Sequence, residues 1–202
     1  METAILAAPL FMYAVKNLAN RIWAAEPDAP KKAVVVLGGG WTGSLAARHL
    51  SSQLDSRKYE LILINERPYM INYIASARMT VTTVDDLASE EKALVPFDKL
   101  FYGGNGRLIV GRAVAVEEIE KGRGGWVVLE DGEKVRWDAL VVATGCSWQG
   151  PLDFPSAEDL PAHVKRWQED VKAANDIYIV GGGPAGIGEY SSASPTCSML
   201  TL

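Results

Sequence analysis

The sequence predicts an α/β fold, and three observations carry the prediction. Residues 33–37 (AVVVL) form a short all-apolar run of the kind that makes a parallel strand buried on both faces, and the turn Gly38-Gly39-Gly40-Trp41-Thr42-Gly43 follows at once. Residues 44–54 then carry Leu45, Ala46, Leu50 and Leu54 at helical spacing, and residues 59–64 (YELILI) are a second apolar strand ended by Asn65-Glu66, which completes a βαβ unit. The pattern of strand followed by glycine-rich turn recurs at residues 177–186.

Composition agrees with that class. A chain of 202 residues allows one domain, or one and part of another. Hydrophobic residues make up 48% and charged residues 22%, which suits a globular chain with its own core and excludes a disordered or collagen-like one. The net charge of −5 argues against a nucleic-acid-binding surface, so no nucleic-acid partner is expected. Cys146 and Cys197 are the two cysteines; without a CxxC or a Cys/His cluster they offer no disulfide framework and no metal site. A reducing, intracellular location follows, cytoplasmic or membrane- or mitochondrion-associated rather than secreted.

Taken in order, residues 1–30 read as an apolar helix and a linker. Residues 4–15 (AILAAPLFMYAV) are apolar, but they fall short of the roughly 18–20 residues that span a bilayer, and Pro9 interrupts them. Three readings stay open for residues 4–23: an interfacial helix with weak membrane-surface contact, since Lys16 and Arg21 follow the apolar run, a helix packing on the body of the protein, or a loosely held extension. Glu26-Pro27-Asp28-Ala29-Pro30 suits neither helix nor strand. After the βαβ unit, residues 108–110, 113–116, 126–129 and 135–137 are short candidate strands, and Asp131-Gly132 is a hairpin signal; together they suggest a small antiparallel meander. Residues 139–143 (ALVVA) return to the buried parallel type and lead into Thr144-Gly145. Leu160, Val164, Trp167 and Val171 mark a helix over 157–174, and residues 177–180 (IYIV) read as another buried strand.

Both glycine turns fit GxGxxG, through Gly38, Gly40 and Gly43 and through Gly181, Gly183 and Gly186. In such a turn the first glycine bends the chain off the strand, the second lets backbone approach a pyrophosphate, and the third lets helix and strand pack closely. The pyrophosphate then sits on the N–H groups at the helix N-terminus. The first turn has its full context, because Glu66 closes the second strand, where a carboxylate accepts hydrogen bonds from ribose hydroxyls and repels a 2′-phosphate. The alternative for Glu66 is a solvated surface charge. Past Ile187 the sequence is rich in serine, contains Pro195 and loses apolar periodicity, so residues 188–202 read as a divergent, disordered tail without a site role.

Four further segments lie in order between the turns and beyond: Glu66-Arg67-Pro68-Tyr69, Ala75-Ser76-Ala77-Arg78, Val110-Gly111-Arg112-Ala113 and Val141-Val142-Ala143-Thr144-Gly145-Cys146-Ser147. Over residues 33–187 this order resembles the flavoproteins with two dinucleotide-binding domains, and among them the apoptosis-inducing-factor-like, ferroptosis suppressor-type group. The resemblance implies a Rossmann-like FAD-binding domain with an antiparallel β-meander over residues 31–149, and the start of a second, NAD(P)-binding Rossmann-like domain over 150–187. It implies that Gly38, Gly39, Gly40, Trp41, Thr42 and Gly43 cradle the FAD pyrophosphate and that Glu66 holds the adenosine ribose. Arg78 falls where the group has a basic residue near the flavin nucleotide, a surface arginine being the alternative. Ala113 and Val114 would lie near the adenine, Ala143, Thr144 and Gly145 would form the crossover out of the FAD domain, and Gly181, Gly183 and Gly186 would open the NAD(P)H site.

The implied activity is hydride transfer from NAD(P)H to FAD and onward to a small acceptor such as a quinone. No side chain is named as a catalytic acid or base, and His49 and His163 read as solvated residues on helices. Departures from the group also count. No redox-active cysteine pair is present, Gly188 stands where the group has Glu, and the later Gly-Asp segment and flavin-covering domain are not found. The alternative expectation is therefore a truncated, catalytically silent chain or a partial nucleotide-binding module.

Overall fold

The computed structural model describes residues 30–73, 79, 93–120, 122–146, 150, 153, 158–180, 183, 187 and, for the backbone, 197–200. The expected N-terminal helix, the linker up to residue 29, and the site candidates Arg78, Gly181 and Gly186 lie outside the described residues. The chain divides into two compact units, residues 1–68 with 96–144, and residues 69–95 with 145–202. In chain order the strands are β1 (Lys32–Leu37), β2 (Tyr59–Asn65), β3 (Tyr69–Ile71), β4 (Leu94–Pro96), β5 (Arg107–Val110), β6 (Ala113–Glu118), β7 (Gly125–Leu129), β8 (Lys134–Trp137), β9 (Ala139–Val142), β10 (Ile177–Val180) and β11 (Cys197–Leu200). The helices are α1 (Trp41–Gln53) and α2 (Leu160–Ala173).

The first unit is built on a parallel sheet of order β5-β2-β1-β9. β1 pairs with β2 from Lys32↔Tyr59 to Leu37↔Ile64, and with β9 from Val34↔Ala139 to Leu37↔Val142. The unbroken apolar runs of β1 and β2 make sense here, because both of their faces are covered. On one face Val35, Leu37, Ile62 and Ile64 pack with Val127, Leu129, Val135 and Trp137 of the meander β6-β7-β8. By strand alternation Val34, Val36, Leu61 and Leu63 lie on the other face, the side of α1, whose Ala46, Ala47 and Leu50 are fully buried. Burying each of these Val, Leu or Ile side chains contributes roughly 1.5–3 kcal/mol. The hairpin read from Asp131-Gly132 forms as expected: Glu133 N–H donates to Asp131 Oδ1 at 2.9 Å and Leu129 N–H donates to Glu133 O at 2.8 Å.

Two expectations for this unit need correction. Residues 108–110 do not belong to the meander; as β5 they pair in parallel with β2, from Ile62↔Arg107 to Asn65↔Val110. A four-residue strand with only Leu108 and Ile109 half-buried has the same pattern in either sheet, and only the available edge of β2 decides between them. β9 is parallel as read but not buried, since it pairs on one side with β1 and leaves Val142 exposed.

In the second unit, β3 and β4 form a two-stranded sheet. α2 buries Leu160 and Val164 against Ile71, Met79 and Ala93, while Trp167 and Val171 on the same stripe stay half-exposed. Gln168 Nε2 donates to the Met79 carbonyl at 2.6 Å. Pro161 opens the helix, where its missing N–H costs nothing, and Lys172 lies in the last turn, where a cation suits the helix dipole. β10 alternates in burial rather than being fully buried, with Tyr178 and Val180 exposed. The tail is corrected too: β11 pairs in parallel with β10 from Ile177↔Cys197 to Val180↔Leu200. The apolar Met199 and Leu200 suffice for a short strand once an open edge is offered, which composition over the whole tail hides. No helix among the described residues is long and apolar enough to cross a membrane.

Candidate nucleotide-binding site

The carboxyl ends of β1, β2 and β9 meet the N-terminus of α1, and the glycine turn joins them. Gly38 leaves β1 with φ +99°, a left-handed conformation that favours glycine. Its N–H donates to Ile64 O at 2.9 Å. A Cβ on Gly38 would stand 2.7 Å from the Ala143 carbonyl carbon and 2.9 Å from Thr144 Cα, so two of the expected site residues, Ala143 and Thr144, press against the turn. A Cβ on Gly43 would run into Gly38 O and come within 2.9 Å of Gly38 C, which is the close helix–strand packing expected of the third glycine. Gly40 differs from both. Its φ is −69°, and a Cβ there would meet no atom of the described residues within 4 Å.

Gly40 is also the N-cap of α1, and no side chain among the described residues caps the helix. The first intrahelical bond runs from Ser44 N to Gly40 O at 2.9 Å, so the N–H groups of Trp41, Thr42 and Gly43 have no intrahelical carbonyl to bond. The first turn holds no acidic residue. That end therefore carries the positive end of the helix dipole with nothing in its own turn to neutralise it. Trp41 and Thr42 are exposed beside it.

A cleft of about 220 Å³ opens at the same end of the sheet, lined by Leu37, Gly38, Ile64, Asn65 and Glu66 at the ends of β1 and β2, by Gly111 and Arg112 between β5 and β6, by Ala113 at the start of β6, and by Thr144. It is smaller than the roughly 300–1,000 Å³ that encloses a drug-sized ligand, and it suits one end of a dinucleotide. Glu66 stands with its side chain half-exposed, its Oε1 3.6 Å from Arg67 Nη1. An exposed pair of this kind contributes little to stability, which leaves the carboxylate available to a ligand. The residues fit an adenosine diphosphate moiety: a carboxylate for the ribose, a cradle at Gly40 where a Cβ would occupy open space, and an uncapped helix N-terminus for the pyrophosphate.

The structure brings together Gly38, Gly39, Gly40, Trp41, Thr42, Gly43, Glu66, Ala143 and Thr144 at this end of the first unit. Val114 does not line the cleft. It is the extra residue of a β-bulge, where Ala113 and Ala115 face Leu129 and Val128, and it is exposed while Ala113 lines the cleft. Gly145 (φ +68°) begins the second unit. Gly183, also in the second unit, is exposed after β10, and its carbonyl accepts from Ile187 N at 3.0 Å, the bond of one helical turn. Sequence reasoning missed Asn65, Gly111 and Arg112 as lining residues. Asn65 directly precedes the strand-ending acid, which is the one local signal it carried.

Known proteins agree with this geometry. Residues 32–194 match the family described as pyridine nucleotide-disulphide oxidoreductase. The FAD-dependent oxidoreductase FVFD30 of Flammulina velutipes is 44% identical over 128 residues, covering 61% of this chain and 39% of that protein. The apoptosis-inducing factor homolog A of Dictyostelium discoideum is 31% identical over 188 residues, covering 90% of this chain and 42% of that protein. Among solved structures, the sulfide:quinone oxidoreductase of Aquifex aeolicus aligns with a TM-score of 0.56 at 24% identity, over 76% of this chain and 37% of that one. The chain thus spans about two fifths of the length of the curated relatives it matches. A glycine turn shaped as this one is, at the head of a sheet of this topology, and a match over residues 32–194 place the chain in the pyridine nucleotide-disulphide oxidoreductase family, in its branch similar to apoptosis-inducing factor and ferroptosis suppressor flavoproteins.

Proposed function

We propose that the first unit holds the adenosine diphosphate half of FAD and that the protein works as an FAD-dependent NAD(P)H oxidoreductase. The observation that carries this reading is the contrast within one turn. Gly38 and Gly43 are demanded by the protein's own backbone, whereas at Gly40 neither φ nor packing asks for glycine. Open space over an uncapped helix N-terminus is what a pyrophosphate needs. Gly40, Trp41 and Thr42 would hold the pyrophosphate through backbone N–H groups, and Glu66 would accept hydrogen bonds from the ribose hydroxyls. Ala113 and Gly111 would shape the wall for the adenine. The chemistry that FAD supplies when bound is hydride acceptance from NAD(P)H and release of electrons to a small acceptor, here taken to be a quinone on the family resemblance alone.

Equilibrium binding of FAD, ADP and FMN to the purified chain tests the reading. FAD and ADP should compete for one site, and FMN, which lacks the adenosine half, should not. Glu66→Ala should weaken ADP by about tenfold, since hydrogen bonds to a charged group contribute roughly 1.5–3 kcal/mol. Equal affinity for FMN and FAD, or no effect of Glu66→Ala, overturns the assignment. A second reading, nucleotide binding without turnover, is supported by a described cleft that serves one end of a dinucleotide. Steady quinone-dependent NADH oxidation by the FAD-loaded chain decides against it.

A further inference from the structure

Asn65 ends β2 and touches three separate stretches of chain. Its Oδ1 accepts the Gly39 N–H at 2.8 Å, and its Nδ2 donates to the Arg67 carbonyl at 2.8 Å. Its backbone carbonyl accepts the Gly111 N–H at 2.8 Å. The Gly39 peptide is held from its other side as well, because Ser44 Oγ donates to Gly39 O at 2.9 Å. Space around Gly39 is closed: a Cβ there would lie 2.8 Å from Asn65 Cγ and 2.7 Å from Phe97 Cζ. Position 39 counts as variable in the motif, yet here it is locked to Asn65, while Gly40 beside it is open.

We propose that Asn65 is a positioning residue: its amide sets the glycine turn at a fixed separation from Glu66, so that the cleft selects a ligand presenting a ribose diol and a pyrophosphate together. The proposal rests on the nucleotide reading given above. An amide is suited to the task because it offers one acceptor and one donor group on the same short side chain, one for the turn and one for the loop after Glu66. Asn65 also takes the Gly39 N–H out of reach of a ligand, and so assigns anion binding to the N–H groups that follow it in the helix N-terminus. A carboxylate at this position keeps the acceptor and loses the donor. It then faces the Arg67 carbonyl at neutral pH, and it regains a donor only when protonated.

The 202-residue chain with Asn65→Ala and with Asn65→Asp tests this, with ADP as the probe because it spans the ribose and pyrophosphate positions. In the ligand-free protein, exchange of the Gly39 amide should speed up by about two- to tenfold in Asn65→Ala, as loss of a hydrogen bond of ordinary strength requires. ADP affinity should fall by about tenfold at every pH. In Asn65→Asp, affinity relative to wild type should approach parity in mild acid and fall steadily toward neutral pH. The charged neighbours Glu66, Arg67 and Arg112 are present in both proteins and largely cancel in that ratio; the glycine turn and Phe97 bring no charge. Because the new carboxylate also repels the ADP phosphates, the neutral Asn65→Ala carries the affinity test: unchanged ADP affinity or unchanged Gly39 exchange in Asn65→Ala, or a flat Asn65→Asp ratio, overturns the proposal. If Asn65→Ala does not fold, the Asn65→Asp profile decides. If the wild-type chain binds no ADP, the nucleotide reading fails by itself, and the Asn65 clamp stands or falls on Gly39 exchange.

Discussion

Gly40 and Gly43 belong to one motif, but substitution should separate them by kind of damage. At Gly43 a methyl group meets Gly38 O and lies 2.9 Å from Gly38 C, and backbone atoms cannot swing aside as a flexible side chain does. Overpacking typically costs about 1–3 kcal/mol, and a clash against two backbone atoms belongs at the upper end. For a chain of this size Gly43→Ala should therefore lower Tm by about 6–12 °C, taking 2–4 °C per kcal/mol. At Gly40 the corresponding space holds no atom of the described residues, and φ of −69° accepts any residue. Gly40→Val gives up a modestly favoured N-cap, which costs about 1 kcal/mol or less. It also fills the approach to the helix N-terminus. Losing two charge-assisted hydrogen bonds at roughly 1.5–3 kcal/mol each weakens ADP or FAD by at least about a hundredfold. Thermal unfolding and ADP titration of both variants provide the assay. A Gly40→Val chain that keeps wild-type ADP affinity refutes the placement of the pyrophosphate. A Gly43→Ala chain as stable as wild type refutes the packing argument.

Two further outcomes concern stability. The Tyr59 hydroxyl is buried without a hydrogen-bond partner among the described residues, and burial, with a smaller contribution from Asp55, raises its pKa. The folded state thus favours the neutral phenol, and this contribution to stability is present below the ordinary tyrosine pKa of about 10 and is lost as pH rises through the folded-state value. Tyr59→Phe should be more stable than wild type by about 1 kcal/mol at neutral pH, with the gap widening above pH ~10, as read by urea denaturation; a wild type that is the more stable at both pH values contradicts this. Removing residues 197–202 should speed amide exchange in Ile177–Val180, because β11 is the strand paired with β10; unchanged exchange there means that β10 is protected by something other than β11.

Much of the first unit could be read along the chain because its signals are local. Two largely apolar strands, a helical stripe between them and glycines at 38, 40 and 43 identify the βαβ unit and the glycine turn at its end without reference to anything distant. Glu66 was legible for the same reason, since a strand end is visible in the sequence. Asp131-Gly132 likewise carries its turn in two adjacent residues.

What tertiary structure decided depends on partners far away in the chain. Leu108 to Val110 could have joined the meander or the parallel sheet, and the free edge of β2 settled it. The bulge at Val114 follows from its register against β7, and it turned a residue expected near the adenine out of the cleft. Asn65 looked like an ordinary polar residue before an acid; its importance lies in the hydrogen bond its side-chain oxygen accepts from the N–H of a glycine 26 residues earlier and the one its backbone carbonyl accepts from the Gly111 N–H. The short strand at Cys197–Leu200 exists because β10 offers it an edge. Backbone periodicity and glycine geometry are written residue by residue, whereas strand pairing and side-chain hydrogen bonds are settled only when folding brings distant segments within about 3 Å of each other.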